Sequence, residues 1–268
     1  MTDYALRLTV FLFCVVALFF WQTFFPKKPL RYSKQRWLEN IGMLAINTVT
    51  LRFFQPILLS IIALSASNYG LLQQWPLPFW ITVLLSIVLL DLAIYCQHTL
   101  SHRINWIWRL HRVHHSDAEL DVSSAVRFHP IEILLSLLYK SAIVLIFGIP
   151  AAAILFFDIL LNASALFNHS NIRLPVAFEA KLRKMIVTPE MHRIHHSRLT
   201  KETNSNYGFF LSVWDRLFQT YTPKATLGDQ DIQIGMPQTR FYKTKGLLSL
   251  LLMPSFTSSD FQNKQDKE

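Results

Sequence analysis

All ten histidines of the chain fall between positions 98 and 196, and most stand in three blocks with helical spacing. The blocks are His98-Thr-Leu-Ser-His102, His111-Arg-Val-His114-His115 and His192-Arg-Ile-His195-His196. Positions i, i+3 and i+4 of an α-helix share one face, so each block presents its imidazoles together. Neutral imidazole is a good ligand for iron, zinc, copper and nickel, and several rings aimed at one volume are hard to explain otherwise. Any fold open to this chain must bring these helical segments to one place.

The blocks lie in an apolar setting. A hydrophobic content of 51% and a mean hydropathy of +0.28 are high for a soluble domain and indicate a membrane protein. The net charge of +9 does not point to nucleic acid, because the basic residues form no aromatic-interleaved stripe and none of the usual motifs is present. Cys14 and Cys96 both lie in apolar segments, where they read as reduced packing residues. A metal site must therefore be built from histidine.

Residues 8 to 25 form a run just long enough to cross a ~30 Å hydrocarbon layer. A cleaved signal peptide is the alternative, but the run ends in Trp21-Gln-Thr-Phe-Phe25 with no small-x-small site, which favours a retained helix. Lys27, Lys28, Arg31, Lys34 and Arg36 follow directly. A second run spans 41 to 66 and carries Asn47 and Arg52, the latter expected to pair inside the bundle or snorkel. A third, from Pro76 to Tyr95, leads into the first histidine block. If that helix continues, Asp91, Tyr95, His98 and His102, spaced 4, 3 and 4 apart, share one face. Asp91 is then expected behind the ligands, since ligating imidazoles commonly donate their second N–H to a carboxylate; the alternative is an intramembrane acid paired with Arg or Lys. Trp106 and Trp108 read as residues of an interfacial belt.

Apolar residues from 131 to 147 and from 151 to 167, broken by Gly148-Ile-Pro150, read as a tight helical hairpin, with Lys140 and Asp158 a mutual pair within it. His129-Pro130 and Thr188-Pro189-Glu190 are helix starts. Leu247 to Met253 is too short to span and is expected on the bilayer surface, with a polar, disordered tail from Pro254. Placing 26 to 40, 98 to 130 and everything after 170 on one side leaves only Arg7, Arg52 and Lys140 of the 26 basic residues elsewhere. The positive-inside rule makes that side cytosolic, which gives five crossings and puts every histidine block at the cytosolic membrane face.

The pattern HxxxH, HxxHH, HxxHH on hydrophobic helices resembles the fatty acid hydroxylase and sterol desaturase superfamily of integral-membrane di-iron oxygenases. The resemblance extends to Asp91 with Tyr95, Trp108 to Ser116, Arg127 to Glu132, Asn168 to Pro175, Thr188 to Ser197 and Asn206 to Tyr221, covering roughly 90 to 222. It departs at Gln219-Thr220, where family members usually carry glycine before the threonine, a local change of turn outside the ligand set. The resemblance implies an all-α, polytopic bundle of four to five transmembrane helices with a cytosolic, histidine-lined di-metal cap. Its parts are an amino-terminal helix and basic loop (1–40), two further helices (41–97), a catalytic region (98–222) and a carboxyl-terminal segment (223–268).

It further implies two iron ions held by His98, His102, His111, His114, His115, His169, His192, His195 and His196. His129, Asp91, Tyr95 and Asn168 would be additional ligands or stand behind them. The implied chemistry is reductive activation of O2, then hydroxylation or desaturation of a lipid such as a fatty acyl chain or sterol. No cytochrome b5 segment and no ferredoxin cysteines occur in these 268 residues, so electrons are expected from a separate cytochrome b5-like or ferredoxin-like donor with its reductase. The membrane would be the bacterial inner membrane or the endoplasmic reticulum. Iron is the family's contribution to this reading, since imidazoles also suit zinc or copper. A histidine-lined metal transporter and a catalytically inactive structural homologue remain as alternatives; an intramembrane zinc protease would need His-Glu-x-x-His, which is absent.

Overall fold

The computed structural model describes residues 3–29, 33–65, 70–236 and 246–256, the side chains at 56 and 59–65 excepted. Within them the chain is all-helical, with three isolated bridges in place of strands: Pro26 with Ile172, Ile186 with Leu211, and Ser197 with Ile234. The long helices are α1 (Asp3–Phe24), α2 (Lys34–Ser65), α3 (Phe79–Arg103), α5 (Pro130–Phe147) and α6 (Ala151–His169), with α4 (Asn105–His115) turning back after α3. Short helices build the remainder: α7 (Val176–Leu182), α8 (Pro189–His195), α9 (Thr200–Thr203), α10 (Val213–Leu217), α11 (Gly228–Asp231) and α12 (Leu247–Leu252).

Among the described residues α1, α3, α5 and α6 are long and apolar enough to cross a membrane, and the protein is a helical membrane bundle. The fifth expected crossing, 41 to 66, falls as far as Ser65 in α2, a 32-residue helix, and position 66 lies outside the described residues. Large apolar side chains such as Phe13, Phe24, Phe53 and Phe79 remain exposed on the outer faces, as a lipid-facing surface requires. Helix α1 packs on α6, α2 on α5, and α3 between α5 and α6. One core joins Leu90 and Ile94 of α3 to Val144, Ala153 and Phe157 of the hairpin; another joins Leu18 of α1 to Leu166 and Ile172. The hairpin turns on Gly148, whose φ of 64° caps α5 in the left-handed region, and a Cβ on the facing Gly70 would fall 2.3 Å from the Gly148 Cα.

The first helix is packed into the fold. Gln22, fully buried near its end, accepts from the amides of Val122 (3.1 Å) and Asn171 (3.2 Å), linking α1 to two loops beneath the histidines. The three basic residues that break the charge pattern each have a partner. Arg7 and Lys140 both pair with Asp158, the latter at 3.6 Å, and the Arg52 guanidinium lies 5.9 Å from the centre of the Tyr4 ring. The expected Lys140 pair is therefore present, widened to three charges. Cys14 and Cys96 are both free.

At the histidine end, buried ions stitch the loops together. Arg36 holds Asp117 (2.9 Å) and Asp121, Arg127 donates to Asn40 (2.9 Å), and Lys27 reaches Glu190 (3.1 Å). Breaking one partner of such a pair leaves an uncompensated charge, so these contacts fix the arrangement of the loops. The segment from Leu247, expected on the bilayer surface, packs inward on the bundle and leaves Leu248 and Leu252 exposed on its outer face. Leu250 is fully buried against Met43 of α2 and Val113 of α4, while Arg109 and Arg112 donate to the carbonyls of Pro254 (2.6 Å) and Met253 (2.5 Å). Its apolar face is used against the bundle because α4 supplies the cations that close its carbonyl end. The tail expected to be disordered lies, beyond Phe256, outside the described residues.

The topology is open to direct measurement. Single cysteines at Gln74 and Asp229, both exposed, are expected to label from opposite sides of sealed vesicles in a Cys14→Ser, Cys96→Ser background. Modification of both from one side contradicts the charge-based orientation.

Candidate metal centre

The nine histidines of the expected ligand set come together from four helices. His98 and His102 lie in the last turns of α3, His111, His114 and His115 on α4, and His169 closes α6. His192 and His195 lie on α8, with His196 as its cap. Helix α8 starts as its sequence requires, the Thr188 hydroxyl accepting from the Met191 amide (3.4 Å) with Pro189 in the first turn. The nine form two groups: His98, His102, His111, His115 and His195, and His114, His169, His192 and His196, the candidate ligand atoms of each lying within 4.8 Å of one another. The His115 and His196 rings stack at 4.3 Å, so the two groups share a wall.

The hydrogen bonds decide which nitrogens face inward. In the first group His98 Nδ1 meets the Tyr207 carbonyl (2.8 Å), His195 Nδ1 the Ser205 carbonyl (2.8 Å), His111 Nδ1 the Glu132 carboxylate (2.6 Å) and His102 Nδ1 the Asn204 amide oxygen (3.3 Å). Each partner accepts, so each Nδ1 carries the proton and each Nε2 is left with a lone pair. The Nε2 atoms of His102 and His195 have no hydrogen-bond partner. In the second group His169 Nδ1 donates to the Ala165 carbonyl (2.8 Å), and the Nε2 atoms crowd together: His114 to His169 3.0 Å, His169 to His192 3.2 Å, His192 to His196 3.1 Å. Converging lone pairs repel, and buried polar atoms without partners are costly. A cation at each focus would remove the repulsion and partner the free Nε2 atoms, leaving only the Nδ1 atoms of His114, His192 and His196 without partners, so the residues present fit two metal ions.

Burial also selects the neutral rings that metals need. His114, His115, His192 and His196 are pushed well below the ordinary histidine value, first by desolvation and then by neighbouring imidazoles, and desolvation chiefly takes His195 down to about 3. Binding there costs no deprotonation at neutral pH.

Several side chains have roles that differ from those the sequence indicates. Asp91 touches no imidazole; its carboxylate accepts from the amides of Phe210 (3.2 Å) and Leu211 (3.1 Å) and the indole of Trp214 (2.8 Å). The carboxylate that orients a ring is Glu132, which the sequence marks only as a first-turn acid of α5. Tyr95 bonds the Thr220 hydroxyl (2.8 Å), and Asn168 donates to the Phe209 carbonyl (2.7 Å). Asp91, Tyr95 and Asn168 thus hold the loop beside the centre. His129 stands outside both groups: its Nδ1 caps α5 by accepting from the Ile131 amide (3.2 Å), and its Nε2 faces the Leu251 carbonyl (3.1 Å). Both ring nitrogens are engaged, which leaves none for a metal. Trp108 corrects the interfacial-belt reading, since its ring lies 4.8 Å from His102 and 5.3 Å from His115. The signal was its place three residues before His111 and seven before His115, on the ligand face of α4.

The loop that returns past the centre is held by Asn206 and Asp215. Asn206, at φ 53°, donates to the carbonyls of Met191 (3.2 Å) and Thr222 (2.9 Å). Asp215 accepts from the amides of Tyr207 (2.7 Å) and Gly208 (2.8 Å) and so fixes the carbonyl that orients His98. Gln219 adopts φ 59°, so the left-handed turn suited to glycine is kept here by a residue that pays roughly 1–2 kcal/mol for it.

An all-helical membrane bundle whose buried histidines form two adjoining foci defines a class of integral-membrane metalloproteins. The family model described as fatty acid hydroxylase matches residues 83–220, and the chain belongs to that family. Among curated relatives, the ornithine lipid hydroxylase OlsE of Rhizobium tropici is 31% identical over 172 residues, 64% of this chain and 50% of that protein. The alkylglycerol monooxygenase of Homo sapiens is 27% identical over 187 residues, 69% of this chain and 40% of that protein. The chain thus spans half or less of the length of these relatives. No solved structure matches it.

The geometry separates His129 from the inner rings. His129→Ala is expected to keep full metal content while losing about 1 kcal/mol of stability with the cap, whereas His195→Ala loses bound metal. Elemental analysis beside a thermal melt checks both; metal loss in the His129 variant would contradict the assignment.

Proposed function

We propose that the protein is a di-iron, O2-dependent lipid hydroxylase, with His98, His102, His111, His115 and His195 holding one iron and His114, His169, His192 and His196 the other. The observation that carries this is the pair of adjoining foci of buried imidazole nitrogens at one end of an apolar bundle. Bound there, two irons would supply reductive activation of O2, one oxygen atom entering an unactivated C–H bond and the other leaving as water with two electrons and two protons from the donor.

The chain's own residues do the rest. The Tyr207 and Ser205 carbonyls, the Asn204 amide and the Glu132 carboxylate hold the protons on the outer ring nitrogens, which sets the tautomers and raises ligand basicity. The apolar packing of α3, α5 and α6 keeps water from the buried side of the site. Trp108 covers the first group, where His102 is the more accessible ring. Electrons come from a separate one-electron carrier, cytochrome b5-like or ferredoxin-like, at the face that the charge distribution makes cytosolic. Hydroxylation is favoured over desaturation because the named relatives are a hydroxylase and a monooxygenase. Their names also favour a polar-headed membrane lipid as substrate.

Comparative lipid mass spectrometry of cells with and without the chain tests this. A lipid class that gains one oxygen is expected, and it disappears in His111→Ala, His115→Ala and His195→Ala at matched expression. Loss of two hydrogens instead would make the chain a desaturase, and full activity in all three variants would remove the metal-based reading.

A further inference from the structure

The returning loop lies deeper than a cytosolic segment would. Helix α3 serves as the ruler: it begins at Phe79 and Trp80, both largely exposed aromatics suited to the outer interface. From there a ~30 Å hydrocarbon layer is crossed in about 20 residues, near His98, and Asp91 sits about 10 Å inside that inner boundary. At this depth Asp91 takes the amides of Phe210 and Leu211 and the Trp214 indole. One turn nearer the histidines, the Tyr95 ring stacks on Phe218 at 5.3 Å. Residues 210 to 218 therefore run beside α3 within its span. The strip before α8 goes with them, because Ile186 bridges Leu211 and Ser212 donates to the Met185 carbonyl (3.1 Å).

Four large apolar side chains face outward on this layer, while the half-buried Arg216 guanidinium is turned back onto the Ser212 and Arg183 carbonyls and the Tyr221 ring. Met185 is 70% exposed, Leu217 62%, Phe218 49% and Val213 43%. Exposed Lys181 and Lys184 adjoin it on the same strip. Irregular backbone at membrane depth is tolerated only where its polar groups are satisfied by protein, which is what an otherwise unexplained intramembrane carboxylate does here.

We infer that residues 210–218, with Met185, form a re-entrant element seated in the leaflet on the histidine side, its apolar residues in the acyl region and Lys181 and Lys184 at the anionic headgroups. The occupant of this face is the bilayer. The basic neighbours match the negative potential of such a leaflet, and the level fixed by Asp91 continues the lipid-facing surface of α3. Membrane contact then extends to within one loop of the site, since Tyr207, whose carbonyl orients His98, and Phe209, whose carbonyl receives Asn168, directly precede the element.

The test uses nitroxide spin labels on single cysteines at Met185, Val213 and Leu217, each in the Cys14→Ser, Cys96→Ser full chain. The protein is reconstituted in phosphatidylcholine bilayers containing phosphatidylglycerol. Power saturation compares collisions with O2, which concentrates in the hydrocarbon, against a water-soluble nickel chelate. Labels at Phe13 and Asp229 serve as lipid and aqueous references. The expected result is O2 accessibility several-fold above that of the nickel chelate at all three positions, as at Phe13. Dominant nickel accessibility would place the face in water and overturn the inference. Low accessibility to both reagents would mean that a second copy or another protein covers it, and would overturn it equally. Helical circular dichroism is measured on each labelled protein, and three separate positions keep the result decisive if one variant misfolds.

Discussion

The structure depends on one electrostatic conflict. Nine imidazoles are packed with their free nitrogens pointing at two small volumes, in an interior where an unpaired lone pair is costly and a protonated ring more so. Within 3.0 to 3.2 Å of one another, neutral rings cannot all be both donors and acceptors, and the outer nitrogens of five of them are already fixed as donors by oxygen partners. Cations at those two volumes would resolve the conflict. The rest of the fold serves to hold the rings in place while that occurs, through the ion pairs of Arg36 and Arg127, the Gln22 anchor and the loop ending at Thr220.

The division of labour follows from the solvent. Helices in hydrocarbon satisfy their own backbone, so the membrane half of the protein can be largely apolar, its charges being the Arg7, Lys140 and Asp158 group, Arg52 at the Tyr4 ring and Asp91 taken up by the returning loop. The histidine half consists of short helices and loops, whose backbone must be satisfied by side chains. That is why buried Asn, Ser and Asp are concentrated there, and why Asn206 and Gln219 accept left-handed backbone. A centre at the junction has the apolar bundle on one side and the loop-built half of the protein on the other.

Much of this was legible in the sequence because it rests on local periodicity. The continuation of α3 from Tyr95 through His102, the helix start at Thr188 and the Gly148 turn follow from spacing within single helices, whereas the gathering of the nine histidines, His169 among them, was implied by the family resemblance. What sequence reasoning missed depends on which loops return to which helix. Asp91 shares a face with His98, yet the 209–214 loop lies against it and takes the carboxylate, so the role of ring-orienting acid passes to Glu132, 21 residues beyond His111. His129 looks like a ligand by type but is engaged by its own helix and by Leu251. Trp108 carried a usable signal in its spacing from His111 and His115, which its membrane-belt composition obscured. The fate of Leu247 to Met253 was not local at all: its apolar face matches a bilayer as well as it matches Met43 and Val113.

The central claim is that the two foci each hold a metal. The most direct measurement is the iron-to-chain ratio after anaerobic reconstitution with Fe(II), determined by elemental analysis on protein quantified by amino-acid analysis, in the wild type and in His196→Ala. The account predicts a ratio near two in the wild type and near one in the variant, because His196 belongs to the second group and its loss leaves the first intact. A wild-type ratio of one or less under conditions that saturate binding would contradict it.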